Sequence, residues 1–430
     1  MHYFSTNRIS SDASFREAVL AGQPSDKGLY FPSKINDLSA EFIDQLHRIA
    51  IEDIAFEVMR PYVGGDIADS DLRRICAETV NFSLPLVELT DRISTLELFH
   101  GPTLAFKDVG ARFMSRCLQY FTRDSPAKTI VIAATSGDTG GAVAAGFHGV
   151  DGIEVVIIYP KGKVSRVQEM QLTTLGGNVT TLELHGTFDD CQAIAKQALA
   201  DVELNAKGRI TSANSINVAR WLPQQIYYFA AQRQWHGPRP VISVPSGNFG
   251  NLASGLLAHI SGLPAERFIA ACNANDVVPR FIASGEYLPT SSVVTLSNAM
   301  DVGAPSNFVR VLEIFGKNFL DLKAKLQAVS VSDATTAETM RDVYSQCNYI
   351  LDPHGAVGYR ALADYLDVHP EKRGYFIETA HPVKFDSVTD ILGTQGPIPV
   401  SVKELLDKRK QSVEVPNDYA SVRDILLSKL

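Results

Sequence analysis

A strand, a turn of small residues and the start of a helix follow one another in residues 129–145, which read TIVIAATSGDTGGAVAA. The run from Thr129 to Ile132 is rich in β-branched residues, which favour a strand. Hydroxyl residues and glycines then form a turn from Thr135 to Gly141, and the alanines after it favour a helix. A strand that leads through such a turn into a helix is typical of parallel α/β sheets.

The same alternation recurs on both sides of this stretch. Further strands are predicted at residues 153–159, 241–244, 267–272 and 375–377. A chain of 430 residues exceeds the roughly 250–300 residues at which a single core stops growing, so two domains are expected. The sequence therefore predicts an α/β protein with mostly parallel sheets flanked by helices.

Several helices are marked by their termini. Apolar residues at helical spacing predict one amphipathic helix over 39–60 with Ser39 as its N-cap, and Asp352-Pro353 marks another helix start. In the tail, residues 401–430 read as two amphipathic packing helices on either side of 413–418. The first carries a capping-box pattern, Ser401-x-x-Glu404.

Composition excludes several classes of function. With 45% hydrophobic and 20% charged residues, the chain has the composition of an ordinary folded protein. A net charge of -8 without a basic run argues against a nucleic-acid partner. The five scattered cysteines suggest reduced thiols, and no apolar run reaches the ~20 residues of a membrane span. We therefore expect a cytoplasmic protein with no membrane partner.

A second turn of small residues follows the predicted strand at 241–244. It reads Ser246-Gly247-Asn248-Phe249-Gly250-Asn251 and opens a helix, so its backbone N–H groups and the helix N-terminus can bind an anion. It lacks the lysine and the spacing of a nucleotide P-loop, which favours a small phosphate. An ordinary tight turn remains the alternative on this pattern alone.

The turn after Thr135 offers a similar site. Hydroxyls and amides of Ser136, Gly137 and Thr139 suit a carboxylate or a phosphate at a helix N-terminus. Asp138 would repel such an anion unless it accepts a hydrogen bond or a proton from another group. The alternative for Asp138 is a helix-capping residue.

One lysine stands in an apolar setting, in the segment from His100 to Asp108. Lys107 follows Phe106, and partial burial would lower the pKa of its amine and suit it to bond a carbonyl. A solvated surface lysine is the alternative. His354 and His381 have no partner at metal-ligand spacing, and no hydrolase motif is present, so no metal site is predicted.

Taken in order, these segments resemble the threonine synthase family, in the group of pyridoxal 5'-phosphate (PLP) enzymes that share the fold of the tryptophan synthase β-subunit. The resemblance covers nearly the whole chain. Its elements are the segments 14–19, 28–32, 101–108, 136–140, 246–251 and 378–382. It implies a two-domain PLP-dependent fold type II, with residues 106–215 as a smaller α/β domain and residues 1–105 plus 216–430 as a larger one.

The resemblance also implies roles for individual residues. Lys107 would form the Schiff base with PLP, and Thr379 would lie beside the pyridine nitrogen. The amides of Gly247, Asn248, Phe249, Gly250 and Asn251 would hold the cofactor phosphate. Ser136, Gly137, Asp138 and Thr139 would surround the substrate carboxylate and the ring hydroxyl, although many relatives carry Asn where this chain has Asp138. Asn214, Arg220 and Lys163 would bind the substrate phosphate.

The expected activity is the conversion of O-phospho-L-homoserine and water to L-threonine and phosphate, by γ-elimination and β-addition, in a monomer or a homodimer. Three alternatives stay open at this point. The first two are a PLP-dependent phospholyase and a serine/threonine dehydratase of the same fold. The third is a relative that binds small anions without catalysis.

Overall fold

A computed structural model of the protein describes residues 1–125 and 127–430. Within them the chain forms thirteen strands and twenty α-helices. The strands are β1 Tyr3–Ser5, β2 Tyr30–Pro32, β3 Leu86–Glu88, β4 Ile93–Glu97, β5 Thr129–Ala134, β6 Ile153–Pro160, β7 Val179–Leu184, β8 Arg209–Ser212, β9 Val241–Pro245, β10 Arg267–Cys272, β11 Leu326–Ser330, β12 Gly374–Glu378 and β13 Val413–Val415.

The helices alternate with these strands through most of the chain. They are α1 Phe15–Ala21, α2 Ala40–Gln45, α3 Ile51–Val63, α4 Asp69–Thr79, α5 Lys107–Thr122, α6 Asp138–Phe147, α7 Arg166–Thr173, α8 Phe188–Ala200, α9 Val202–Lys207, α10 Val218–Trp221, α11 Gln225–Gln234, α12 Gly250–Ile260, α13 Val277–Ser284, α14 Phe308–Ile314, α15 Phe319–Lys325, α16 Asp333–Cys347, α17 Pro353–Val368, α18 Asp386–Leu392, α19 Val400–Leu406 and α20 Tyr419–Lys429. In the part of the chain that the structure describes, none of them has the length and apolar character needed to cross a membrane.

Two larger sheets carry the architecture. The first has the strand order β11-β10-β9-β12-β4-β3 and is parallel except for the antiparallel edge strand β3. The second has the order β13-β7-β6-β5-β8 and is parallel throughout. These pairings confirm the predicted α/β class with mostly parallel sheets.

The central strand β12 shows why the sheet is covered by helices on both faces. All five of its residues are buried. Tyr375 and Ile377 join one hydrophobic cluster, whereas Phe376 between them joins another. Successive side chains of a strand point to opposite faces of the sheet, so a strand that is apolar at every position requires cover on both faces. Helices on both faces provide that cover.

The tail departs from the expected division of the chain. Residues 401–430 were expected to pack with the larger unit, yet β13 pairs in parallel with β7 of the second sheet. Helix α20 packs against α8 on that same sheet, and its Leu426 is fully buried there with Cys191 and Ile194. The tail therefore adds both a strand and a helix to the smaller α/β unit, because its apolar residues find an open sheet edge there.

Two of the predicted helix boundaries are wrong. Ser39 does cap a helix, by accepting a hydrogen bond from the Phe42 N–H, but that helix ends at Gln45. A second helix begins at Ile51, after the extended residue Ala50 and with Glu52 and Asp53 in its first turn, where acidic residues stabilise a helix N-terminus. In the tail, α19 begins at Val400 after Pro399, so Ser401 lies inside the helix and is not its cap.

The tail supplies the first test. Replacing Leu426 with Ala removes a fully buried side chain and should lower the free energy of unfolding by about 2–4 kcal/mol, because a cavity remains where α20 meets α8. Urea unfolding followed by circular dichroism measures the loss. Val400→Ala in α19 is the matched control, since Val400 is 69% exposed. Equal losses in the two variants would mean that α20 does not stabilise the second sheet.

Candidate active site

The site lies where the carboxyl-terminal loops of the two sheets meet. Asn248, in the loop after β9, donates a 2.8 Å hydrogen bond to the Ser215 hydroxyl, in the loop after β8. Lys384, after β12, forms a 2.7 Å ion pair with Asp138, after β5. Ligands of open α/β sheets bind at this end of the strands. The two contacts therefore mark the region in which a ligand would be held.

Lys107 is placed by a short backbone pairing between two loops. Ala105 and Ala380 form an isolated antiparallel bridge. The Phe106 N–H donates to the Thr379 carbonyl at 2.8 Å, and the His381 N–H donates to the Leu104 carbonyl at 3.0 Å. Lys107 follows at once as the first residue of α5. This pairing bonds the residue before Lys107 to the Thr379 backbone.

The environment of Lys107 favours its neutral amine. The Lys107 Nζ lies 3.8 Å from the Asp138 carboxylate, and the side chain is 17% exposed. Burial lowers the pKa of the Lys107 amine, and the cations of Lys384 and Arg220 lower it further, although Asp138 opposes the shift. A neutral amine is the form that attacks a carbonyl carbon. The surface-lysine alternative is therefore wrong.

Asp138 is a buried, ionised carboxylate. One oxygen, Oδ1, accepts hydrogen bonds from Lys384 at 2.7 Å and from the Gln168 amide at 2.9 Å. Burial alone would raise the pKa of Asp138, but Lys384, Lys107 and Gln168 hold that pKa below its usual range. The capping alternative for Asp138 is wrong, because the Thr135 hydroxyl accepts the hydrogen bonds of the Gly137 and Gly140 N–H groups at the start of α6.

The loop from Ser246 to Asn251 has the shape of an anion-binding turn. Phe249 adopts a left-handed backbone with φ of 63°, and α12 begins at Gly250. The first N–H groups of a helix have no partner within the helix, so they can donate to an anion. A side chain at Gly247 would come within 2.5 Å of the Met300 backbone, which restricts that position to glycine.

Of the three residues expected to bind the substrate phosphate, Arg220 is buried, Asn214 lies beside the 135–139 turn and Lys163 is exposed. Arg220 is 3% exposed, its guanidinium donates to the Ala213 carbonyl, and burial lowers the pKa of Arg220 to about 10. Asn214 lies beside the 135–139 turn, since its amide donates to the Ala134 carbonyl at 3.2 Å. Lys163 lies instead on the exposed turn after β6.

Three residues of the site were missed by the sequence analysis. Lys384 and Gln168 hold Asp138, and Arg310 holds the 215–216 segment through its carbonyls. Arg310 is fully buried and lies over the Trp221 ring, 4.3 Å from its centroid. Lone lysines and arginines are usually solvated. No local signal distinguishes these from surface residues, although Lys384 follows the quoted 378–382 segment by two positions.

A cluster of acidic groups lies under the loop that carries Thr379. The Glu378 carboxyl accepts a 2.6 Å hydrogen bond from the Asp352 N–H, and Asp352 contacts the His354 ring at 2.6 Å. Nearby, the Tyr349 hydroxyl donates to Glu97 at 2.7 Å. Burial raises the pKa of Glu378 well above its usual value, and the charges of Asp352 and Glu97 raise it further. Burial and these neighbouring charges therefore favour the neutral form of the Glu378 carboxyl over its ionised form.

Three protein-family models match parts of this chain. Residues 91–376 match the model of the pyridoxal-phosphate dependent enzymes. Residues 2–80 match the threonine synthase N terminus, and residues 355–426 match the threonine synthase C-terminal model. The chain is 43% identical to the threonine synthase of Haemophilus influenzae, over 99% of this chain and 100% of that protein. It is 42% identical to that of Escherichia coli, over 100% of both.

The chain belongs to the threonine synthase family.

Solved threonine synthase structures match over the whole chain. The Escherichia coli enzyme superimposes with a TM-score of 0.93 at 41% identity, covering 100% of both chains. The PLP-bound threonine synthase of Brucella melitensis superimposes with a TM-score of 0.93 at 33% identity, and the match covers 100% of this chain and 99% of that one. Maize serine racemase, at 17% identity and a TM-score of 0.57, shares the fold alone. The expected family, fold class and PLP dependence are confirmed by these matches.

The raised pKa of Glu378 predicts how the stability of the protein depends on pH. The folded protein holds the Glu378 proton more tightly than the unfolded chain does, so the stability from this group is full below the unfolded pKa of about 4.3. That stability is lost as pH rises toward the raised folded pKa. Glutamine cannot ionise. Glu378→Gln should therefore gain in melting temperature relative to the native protein as pH increases from about 5 to about 9.

Thermal unfolding at a series of pH values measures this difference. Glu266→Gln is the matched control, because Lys372 lowers the pKa of Glu266. Glu266 is then ionised in both the folded and the unfolded state over most of this range, so the melting-temperature difference between Glu266→Gln and the native protein should stay nearly constant. A melting-temperature difference between Glu378→Gln and the native protein that stays constant across the range would contradict a protonated Glu378.

Proposed function

We propose that this threonine synthase family member converts O-phospho-L-homoserine and water to L-threonine and phosphate, with PLP bound at Lys107. The observation that carries the proposal is the position of the Lys107 amine. It lies 3.8 Å from a buried carboxylate and is paired through its loop to Thr379. The full-length likeness to threonine synthases supports the choice of reaction within the PLP group.

The residues present suit PLP by their chemistry. The Lys107 amine suits the aldehyde, and the N–H groups of residues 247–251 at the start of α12 suit the phosphate. Thr379 would supply a neutral hydroxyl for the ring nitrogen, and Asp138 would face the ring hydroxyl. When bound, the cofactor supplies an electron sink that makes protons near the substrate amine acidic.

The chain's own residues then bind the substrate and move its protons. The Lys107 amine is the base that would take the proton at Cα of the bound substrate. We assign the same amine to the proton at Cβ and to the return of a proton at Cγ. Its lowered pKa suits both directions of transfer, since a base works best with a pKa near the working pH.

Arg220 and its neighbours are proposed to bind the substrate phosphate. The Arg220 Nε is buried without a hydrogen-bond partner among the described residues, and a guanidinium can bind a phosphate in a bidentate manner. Asn214, the hydroxyls of Ser136 and Thr139, and the Gly137 amide would complete the contacts to the phosphate and the carboxylate. Lys163 is exposed and would contact substrate only if its turn moves inward.

The central test replaces Lys107 with Ala. A lysine at the edge of a cleft contributes little to packing, so the melting temperature should stay close to the native value. Threonine formation should fall by about 10⁴-fold or more, because both the covalent link and the proton carrier are lost. Phosphate, threonine and 2-oxobutanoate are assayed together after PLP and O-phospho-L-homoserine are added. Lys372→Met, at the far end of the first sheet, is the control.

The outcomes separate the proposal from its rivals. Equal phosphate and threonine from the native protein support threonine synthase activity. Phosphate with 2-oxobutanoate and no threonine would mean a phospholyase. Absence of a Schiff-base absorbance band on PLP addition would return the protein to the anion-binding class. Near-native rates in Lys107→Ala would overturn the assignment of Lys107.

A second test addresses the substrate phosphate. Arg220→Gln should raise KM for O-phospho-L-homoserine about 10- to 100-fold, the value of one hydrogen bond to a charged group, and should leave the Schiff-base band in place. The kinetics are compared with those of Lys163→Gln, which should change KM little if its turn stays exposed. An unchanged KM in Arg220→Gln would place the substrate phosphate elsewhere.

A further inference from the structure

Lys384 is a fully buried lysine that the reaction proposed above does not use. Its Nζ forms a 2.7 Å ion pair with Asp138 Oδ1 and donates a 2.8 Å hydrogen bond to the Thr103 carbonyl. A buried ammonium is costly unless it is paired and hydrogen-bonded, so these contacts define what Lys384 does. Both partners lie near Lys107: Asp138 is beside the Lys107 amine, and Thr103 is in the loop that precedes Lys107.

The three groups come from separate parts of the fold. Lys384 ends the short 3-10 turn Pro382–Lys384 after β12. Asp138 begins α6 after β5 of the other sheet. Thr103 lies in the loop before Lys107, and its backbone N–H and hydroxyl both donate to the Asp108 carboxylate. One ammonium thus joins both sheets to the loop that carries Lys107.

The contacts also orient the Asp138 carboxylate. Lys384 and the Gln168 amide, at 2.9 Å, both bind Oδ1. The other oxygen, Oδ2, is the one that lies 3.8 Å from Lys107. Because Coulomb energy falls with distance, Asp138 interacts more strongly with Lys384 at 2.7 Å than with Lys107 at 3.8 Å. Lys384 therefore neutralises the negative charge of Asp138 without a contribution from Lys107.

We propose that Lys384 is a positioning residue, which fixes and neutralises Asp138 so that this carboxylate does not lock Lys107 in an ion pair. This inference rests on the proposed binding of PLP at Lys107. Without Lys384, Asp138 would be a buried carboxylate with Lys107 as its neighbouring cation. Lys107 would then be held as an ammonium, or, once linked to PLP, as a protonated nitrogen.

Other charged groups surround Lys107, Asp138 and Lys384. Arg220, on α10, acts on Lys107, while Asp108, on α5, and His381, before the 3-10 turn, both sense the charge of Lys384. A single substitution at Lys384 or Asp138 leaves all three of them in place. Removing the Lys384 charge also acts on Asp108 and His381, so the Lys384–Asp138 pair is reported by shifts of opposite sign in the two single variants and by their cancellation in the double variant.

The experiment compares Lys384→Met, Asp138→Asn and the double variant with native protein. Each is stripped of PLP, and PLP is titrated back to measure its dissociation constant. The Schiff-base absorbance band is then followed against pH, which reports the pKa of the nitrogen that links Lys107 to the cofactor. Lys372→Met is the matched control, because Lys372 pairs with Glu266 at 2.6 Å at the amino-terminal end of the first sheet.

The expected shifts have opposite signs in the two single variants. Lys384→Met leaves a lone carboxylate and should raise the pKa of the linked nitrogen by about one unit or more. Asp138→Asn leaves a lone cation and should lower that pKa by a similar amount, about one unit. The double variant has a neutral pair and should return to the native value. The PLP dissociation constant should rise in both single variants and recover at least in part in the double variant.

Several outcomes would overturn the proposal. One is a Lys384→Met titration that matches Lys372→Met, and another is a double variant that stays displaced like Lys384→Met. If Lys384→Met does not fold, the comparison of Asp138→Asn with the double variant decides, since the proposal requires a higher pKa in the double variant. If native protein gives no Schiff-base band at all, the proposed function fails, which is a result distinct from any of these.

Discussion

The ion pair between Lys384 and Asp138 is the constraint on which the rest of the site depends. It joins the carboxyl end of β12 in the first sheet to the start of α6 beside the second sheet. Both partners are buried, so the pair is stable only if its geometry is held on every side. The Gln168 amide and the Thr103 carbonyl complete that geometry. The same groups set the position of the loop before Lys107.

Two kinds of structure support this pair. Strands that are buried on both faces give each loop a rigid origin, because β5, β9 and β12 are buried at every position. The loops themselves are stabilised by backbone hydrogen bonds between residues 104–106 and residues 379–381. A catalytic amine must be held within a few tenths of an ångström of its working position. Under the proposed function, Lys107 would meet this need, because it lies at the junction of a paired loop and a helix.

The second sheet is completed by the end of the chain. Strand β13 extends that sheet beyond β7, and α20 covers α8. Helix α19 of the same tail packs against α7, which carries Gln168 and so touches the Asp138 site. The tail contributes no group to the chemistry, yet it stabilises the helix that holds Asp138. The tail therefore has a structural role and acts on the site only through the packing of α7.

The sequence by itself determined the α/β class, the strands after which the site loops follow, and the residues of the family motifs. It could do so because these signals are local: apolar runs, glycine turns and the order of motifs along the chain. The break in the predicted helix at residues 46–50 and the start of α19 were missed, because short-range spacing does not show where a helix stops. Only the tertiary structure placed the tail on the second sheet. Only the tertiary structure, likewise, showed that Lys384, Gln168 and Arg310 are buried site residues, because a charged side chain looks the same in sequence whether water or another buried charge lies beside it. Asp138 is the clearest case: its charge state is set by Lys384, which lies 246 positions later in the chain.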